Sequence, residues 1–503
     1  MEGTPHDEHD AMTSARHGLS KSRLAAFEQC PRRLWLSVHA RDLAQAGPGA
    51  GAGFAAGHEV GAVACMLLPD GVMVEAKPGL VAALSKTRAL LDAGWDRPIF
   101  EATFEHDGVL VRVDVLEPDG SGGWLMAEVK GTTKPKAHHL PDLATQAWVA
   151  REAGLSITSA AIRHVDSGFV LAQEGRFDGL FADAECMELV EPIVAGRADV
   201  VADARAVLAG GEPGVKPGDH CRDPFPCEFE GYCRRGQPAG PEWPVTILPH
   251  GGGRALLEEG VDDLLALSED QLANPLHKRV HRATATGVPY HDVEGARSAI
   301  SAWAWPRAYL DFETIGFAVP RWIGTGPYQQ VPFQFSVHVE QADGQLDHGE
   351  FLDLGGGDPR RGCAEALLAL VPGEGAVIGY NASFERGRIL ELAGAFPDLK
   401  EALEDMAARV VDLLPVTRAH WYHRDQRGSW SIKAVLPTVA PHLDYGGLEV
   451  RDGGQAQEAY MEAISGAGEA RRVALDRGLR VYCGRDTEAM VVLAHRLCSE
   501  PVT

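Results

Sequence analysis

The chain has 503 residues, more than one usual hydrophobic core organises, so two to four domains are expected. Its 45% hydrophobic and 7% aromatic content is that of a globular protein, and no apolar run reaches the length that would make it a helical membrane protein. A formal charge of −24 excludes a globally basic coat for a polyanion, so contact with phosphates has to come from local Lys and Arg clusters.

Met1 to Ser20 is polar and charged and lacks the apolar core of a signal peptide. Residues 1–18 are expected to be a disordered tail, and the chain to be cytoplasmic, where thiols stay reduced. Leu19-Ser20-Lys21-Ser22-Arg23 runs into Cys30-Pro31-Arg32-Arg33, and the Gly- and Ala-rich run from Gln45 to Gly57 reads as a loop or a mobile rim beside His58. Val109 to Glu117 alternates as a strand, Pro118 to Gly123 is a turn cluster, and Trp124 to Lys130 returns, which predicts a hairpin. Pairing across it brings Asp114 close to Glu128, with Lys130 on the same face as Glu128. Two carboxylates and an ammonium suit a divalent ion that activates a bound water, with the lysine positioning that water or offsetting charge on a phosphate. Farther on, Cys221, Cys227 and Cys233 recur at six-residue steps, which points to a metal.

This Asp, then Glu-x-Lys arrangement resembles the RecB-like nucleases, including iron–sulfur members associated with CRISPR systems, over residues 19–240. The resemblance implies a restriction-endonuclease-like α/β fold of the PD-(D/E)XK type. It makes Asp114 and Glu128 ligands of Mg²⁺ or Mn²⁺, Lys130 catalytic, His58 a further ligand, and Gln146 a support for the site or substrate. It also implies that Cys30 joins Cys221, Cys227 and Cys233 around a 4Fe-4S cluster. Zinc is the alternative, with His220 as a ligand. Cys65, Cys186, Cys363, Cys483 and Cys498 read as ordinary thiols.

Gly236 to Gly253, rich in Pro and Gly, marks a boundary, and Ala255 to Val280 has helical patterning, so residues 241–300 are expected to be a helical connector. Tyr309-Leu310-Asp311-Phe312-Glu313-Thr314 then sets Asp311 and Glu313 on one face of a strand. Val377 to Asn381 reads as a second strand leading into a helix with Asn381 near its N-cap and Glu385 in it. Near the end, Tyr482 and Asp486 lie four residues apart on one helix face. Four acids on a strand and two helices could gather two divalent ions for phosphodiester hydrolysis.

Residues 301–503 resemble the DnaQ-like family of 3′-to-5′ exonucleases, in the branch with Tyr four residues before the last Asp. That resemblance implies an RNase H-like α/β fold, with Asp311, Glu313, Glu385 and Asp486 as metal ligands and Tyr482 orienting the attacking water. The third acid is usually Asp, and here it is Glu385. Lys433, between the third and fourth acids, reads as a packing residue or a substrate contact.

The two resemblances together imply a metal-dependent nuclease acting on DNA in preference to RNA, as a 3′-to-5′ exonuclease on single-stranded or frayed ends, in repair, processing or defence. The alternatives are an RNA exonuclease, or a nucleic-acid-binding or scaffolding protein with one or both sites inactive. No membrane partner is expected, and the sequence names no protein partner.

Overall fold

The computed structural model describes residues 18–45 and 50–500, so all but Gly18 of the tail expected to be disordered lies outside the described residues. The fold is mixed α/β. The chain divides into two compact units, the first running up to Gln237 and including Phe317–Tyr328, the second made of Pro238–Gly316 and Gln329 onward. Residues 241–300, expected as a connector, fall within the second unit.

In the first unit a sheet is built from β1 (Leu19–Ser20), β2 (Val72–Met73), β3 (Ile99–His106), β4 (Val109–Pro118), β5 (Trp124–Lys130), β6 (Ile157–Val165) and β7 (Phe181–Glu185). Its order is β2-β3-β4-β5-β6-β7, with β1 parallel to β4. β4 and β5 form the hairpin, Val115 opposite Ala127. β5 and β6 are parallel, and the helix His139–Glu152 is the crossover that a parallel pair requires. Its Leu143, Ala144, Ala147 and Trp148 share a core with Val109, Val111 and Val113 of β4, so one face of the sheet is closed by this helix. Ala50–Met66 is also helical, so from Ala50 onward the run read as a loop is the start of a helix, where alanine outweighs glycine. Residues 46–49 of that run lie outside the described residues.

The second unit holds β8 (Tyr290–His291), β9 (Arg307–Ile315), β10 (Val331–Glu340), β11 (Leu346–Leu352), β12 (Ala376–Gly379), β13 (Val410–Asp412) and β14 (Trp421–Tyr422). The main sheet runs β11-β10-β9-β12-β13, and β8 pairs with β14. β9 is antiparallel to β10 and parallel to β12. The two-residue period divides β9 between two cores. Ala308, Leu310 and Phe312 pack with Val377, Ile389 and Leu392, whereas Tyr309 packs with Met490 and Leu493 of the helix Glu469–Cys498. Asp311 and Glu313 share the parity of Tyr309 and therefore face the long helix.

The helical pattern over Ala255–Val280 is broken into pieces. One helix ends at Glu258, just before Gly260 at φ 84°, and the next, Pro275–Thr286, starts with Pro275 in its first turn and Asn274 accepting from the Leu276 N–H. No described helix is long and apolar enough to cross a membrane.

Candidate metal centres

In the second unit Asp311 and Glu313 from β9, Glu385 from the helix Ser383–Ala395, and Tyr482 and Asp486 from the long helix line one cavity of about 280 Å³. Asn381 lies next to the helix cap, Ala382, as expected; it has a left-handed φ of 71°, and its N–H donates to Asp412 Oδ1 at 3.0 Å. A Cβ at Gly379 would stand 2.9 Å from both Ala382 Cβ and Glu385 Oε2 and 3.1 Å from Ala382 Cα, so the close approach of the helix start favours glycine there. Glu385 Oε2 is buried and has no hydrogen-bond partner. A buried acceptor without a donor is costly unless something positive fills the space before it.

The electrostatics agree. Burial, then the carboxylates of Asp486, Glu313 and Glu385, raise the Asp311 carboxyl well above its usual range. Burial and Asp486 push Glu313 up to about 8, and burial and Asp412 push Glu385 up to about 7. Burial also raises Asp486, although Tyr445 donates to its Oδ1 at 2.5 Å. Four carboxyls that resist ionising together become favourable when a hard cation sits among them, and an all-oxygen set suits Mg²⁺ or Mn²⁺. Asp311, Glu313 and Cys483 also offer ligand atoms within 4.8 Å of one another, and the buried Cys483 thiol donates to the Asp311 carbonyl at 3.7 Å.

In the first unit Glu101, Asp114 and Glu128 come side by side on β3, β4 and β5, since Phe100 pairs with Val115, Ala102 with Val113, and Val115 with Ala127. Glu101 interrupts the ladder at φ 56°. Asp114 and Glu101 line a cavity of about 300 Å³ together with His58 and Cys65. Asp114 Oδ2 accepts from the Val129 N–H at 2.8 Å. Glu128 is 2% exposed, and both its oxygens are engaged: Oε1 by Lys21 at 2.6 Å and Lys130 at 2.7 Å, Oε2 by Gln146 at 2.5 Å. Burial would raise its carboxyl, but the two ammoniums outweigh burial and hold it down to about 2. Asp114 has less cationic help, and burial with the Glu128 charge pushes it up to about 8.

Cys30 ends the helix Lys21–Gln29 and caps the helix Pro31–His39, and it lines one small cavity with Cys221, Cys227, Cys233 and His220. The Cys227 N–H donates to the Cys221 carbonyl at 2.7 Å, which folds the late cysteine segment back on itself. Burial pushes the Cys227 thiol up to about 11 and raises Cys233. Four thiols meeting across nearly 200 residues of chain fit a thiophilic centre. Among the described residues, the group of three or more potential ligands converging within 4.8 Å is Asp311, Glu313 and Cys483, not these cysteines.

Both predicted carboxylate sets are therefore brought together, as are the four cysteines. Sequence reasoning gave no role to Tyr445 or Glu101, quoted Lys21 only in the opening motif, and read Lys433 as a packing residue or a substrate contact. Lys433 Nζ donates to the Tyr482 hydroxyl at 2.9 Å and to the Arg451 carbonyl at 2.9 Å, and it lies over the Tyr482 and Tyr445 rings. Its position between the third and fourth acids was the available signal. Tyr445 carried none.

A family described as a domain of unknown function (DUF2779) matches residues 308–431, a stretch that includes Asp311, Glu313 and Glu385 and ends before Tyr482. The solved structure of SSO0001 is similar over 44% of this chain and 87% of that chain, at 14% identity and a TM-score of 0.21. No curated protein matches.

Proposed function

We propose that the chain is a metal-dependent nuclease that hydrolyses phosphodiester bonds of DNA from single-stranded or frayed ends, with a RecB-like first unit and a DnaQ-like second unit. The observation that carries this reading is the second-unit cavity, where Asp311, Glu313, Asp486 and the unpartnered oxygen of Glu385 surround a space beside Tyr482 and Lys433. Bound Mg²⁺ or Mn²⁺ would activate a water and stabilise the leaving oxygen. The Tyr482 hydroxyl, fixed by the Lys433 ammonium, orients that water, and Lys433 supplies positive charge facing a phosphate. Glu385 reaches the cavity because Gly379 leaves room for its longer side chain.

In the first unit Asp114 and His58, which line one cavity, would hold the ion with Glu128, which is not among that cavity's lining residues and is fixed by Gln146, while Lys130 would offset charge on the phosphate. One observation favours the alternative that this unit binds nucleic acid without cutting it: Lys21 and Lys130 already neutralise Glu128, so an incoming cation has to compete with them. For the cysteines, we favour a 4Fe-4S cluster over zinc. The four cysteines line one cavity, and one early and three late cysteines are the arrangement of the iron–sulfur RecB-like nucleases that the first unit resembles.

The test is digestion of end-labelled single-stranded DNA and RNA with Mg²⁺ or Mn²⁺ by the wild type, Asp114→Asn, Asp311→Asn and the double variant. Loss of a distinct cleavage product in each single variant supports two working sites. Cleavage that survives Asp311→Asn unchanged, or its absence from the wild type with either nucleic acid, overturns the reading.

A further inference from the structure

The helix Pro275–Thr286 carries Lys278, Arg279 and Arg282 and has no acidic residue, in a chain whose net charge is −24. Its inner face, with Val280 and Ala283, belongs to the second unit's core. Pro275, Lys278, Arg279, Arg282 and Thr286, at helical spacing, form one wall of a cavity of about 520 Å³ that none of the proposed chemistry uses. Val288 and Tyr290 also line it, and Val288 is 64% exposed. The wall is organised for an extended anion. Lys278 and Arg282 stand one turn apart, about 6 Å along the axis. The Arg279 guanidinium is held 4.0 Å from the Tyr290 ring centroid, and its Nη1 donates to the Arg418 carbonyl at 2.7 Å, so it is placed before any ligand arrives. Glu269 also lines the cavity and accepts from Arg282 at two points, Nη2 at 2.5 Å and Nε at 3.0 Å, so a phosphate on Arg282 has to displace this carboxylate.

We infer that this cleft is a docking site for the phosphodiester backbone of a single nucleic-acid strand, with Lys278, Arg279 and Arg282 on phosphates. The inference rests on the proposed nuclease function for its ligand and gives a strongly acidic protein a local hold on its substrate.

The test measures binding of fluorescent single-stranded DNA and RNA oligonucleotides to the full chain in EDTA, so that no cleavage is needed, over a series of salt concentrations. Lys278→Ala and Arg282→Ala are each expected to weaken binding about threefold to tenfold and to flatten the log–log salt slope by about 0.7, the value for one phosphate contact on a single strand. Glu269→Gln, which frees Arg282, is expected to tighten binding, a gain that misfolding cannot produce. DNA and RNA respond alike where the backbone alone is read, and a loss confined to one of them names the strand. Unchanged affinity and slope in all three variants overturns the inference, as does a wild type that binds neither strand at low salt. Equal binding of poly-glutamate, lost in the same variants, also overturns it, because the cleft is then a general anion surface. A wild type that binds the strand in EDTA but cuts neither DNA nor RNA with Mg²⁺ or Mn²⁺ would refute the nuclease reading and leave the cleft standing.

Discussion

The Lys433 ammonium donates to the hydroxyl of Tyr482 across 2.9 Å, joining the helix Ile432–Val439 to the long C-terminal helix at the rim of the carboxylate cavity. A phenol held this way presents its remaining lone pair and proton in fixed directions, which is what orientation of a water demands.

Replacing Lys433 by Met should therefore cost about 10²-fold in turnover, the range of a positioned polar group, with Lys433→Arg recovering part of it. Single-turnover rates at saturating metal check this. A change confined to KM would instead make Lys433 a simple substrate contact.

Asp311→Asn should separate stability from activity. Asp311 is buried among Glu313, Glu385 and Asp486, so removing its charge relieves repulsion in metal-free protein. Its melting midpoint in EDTA should rise by about 2–4 °C, the response of a unit of this size to about 1 kcal/mol, while the stabilisation by added Mn²⁺ and the cleavage activity are both lost. A fall in the midpoint in EDTA would mean that the carboxylates are satisfied without a cation.

The cysteines give a prediction that colour can judge. If Cys30 completes the set with Cys221, Cys227 and Cys233, Cys30→Ser should abolish the broad visible absorbance of anaerobically purified protein and its iron content, as Cys227→Ser does. Cys363→Ser, in the core of the second unit, should leave both intact. Stoichiometric zinc in a colourless wild type would decide for the alternative.

His338 supplies a pH dependence away from the carboxylates. Burial, then the neighbouring His348 ring stacked at 4.4 Å, push its imidazole down to about 4, and its Nδ1 bonds Thr487 Oγ1 at 2.8 Å. Because the folded state binds this proton more weakly than the unfolded chain, its contribution is intact above the usual value of 6.5 and is lost as pH falls towards about 4. His338→Gln should flatten the decline of the melting midpoint across that window. A decline as steep as in the wild type would assign it to other groups.

What was legible in the sequence is what periodicity encodes. The two-residue spacing of Asp311 and Glu313, the hairpin placing Asp114 beside Glu128, and the four-residue spacing of Tyr482 and Asp486 are local relations, and each holds in the fold. The missed partners are non-local. Lys21 reaches Glu128 from 107 residues away, and Tyr445 reaches Asp486 from a loop with no pattern of its own. Glu101 was not singled out, because its left-handed backbone has no signature in the residue types around it. The helical patterning over Ala255–Val280 is realised in short pieces, because Gly260 and the Asn274-Pro275 pair cut it where backbone preference outweighs amphipathic pattern.

The short excursion Phe317–Tyr328 leaves the second unit after β9, contributes Ala318 and Val319 to a first-unit cluster with Val60, Val63, Val165 and Leu180, and returns to begin β10. A gene cut near codon 237 would therefore yield a first half with an apolar wound where those two side chains belong. The first 237 codons alone do not encode the whole of the first unit.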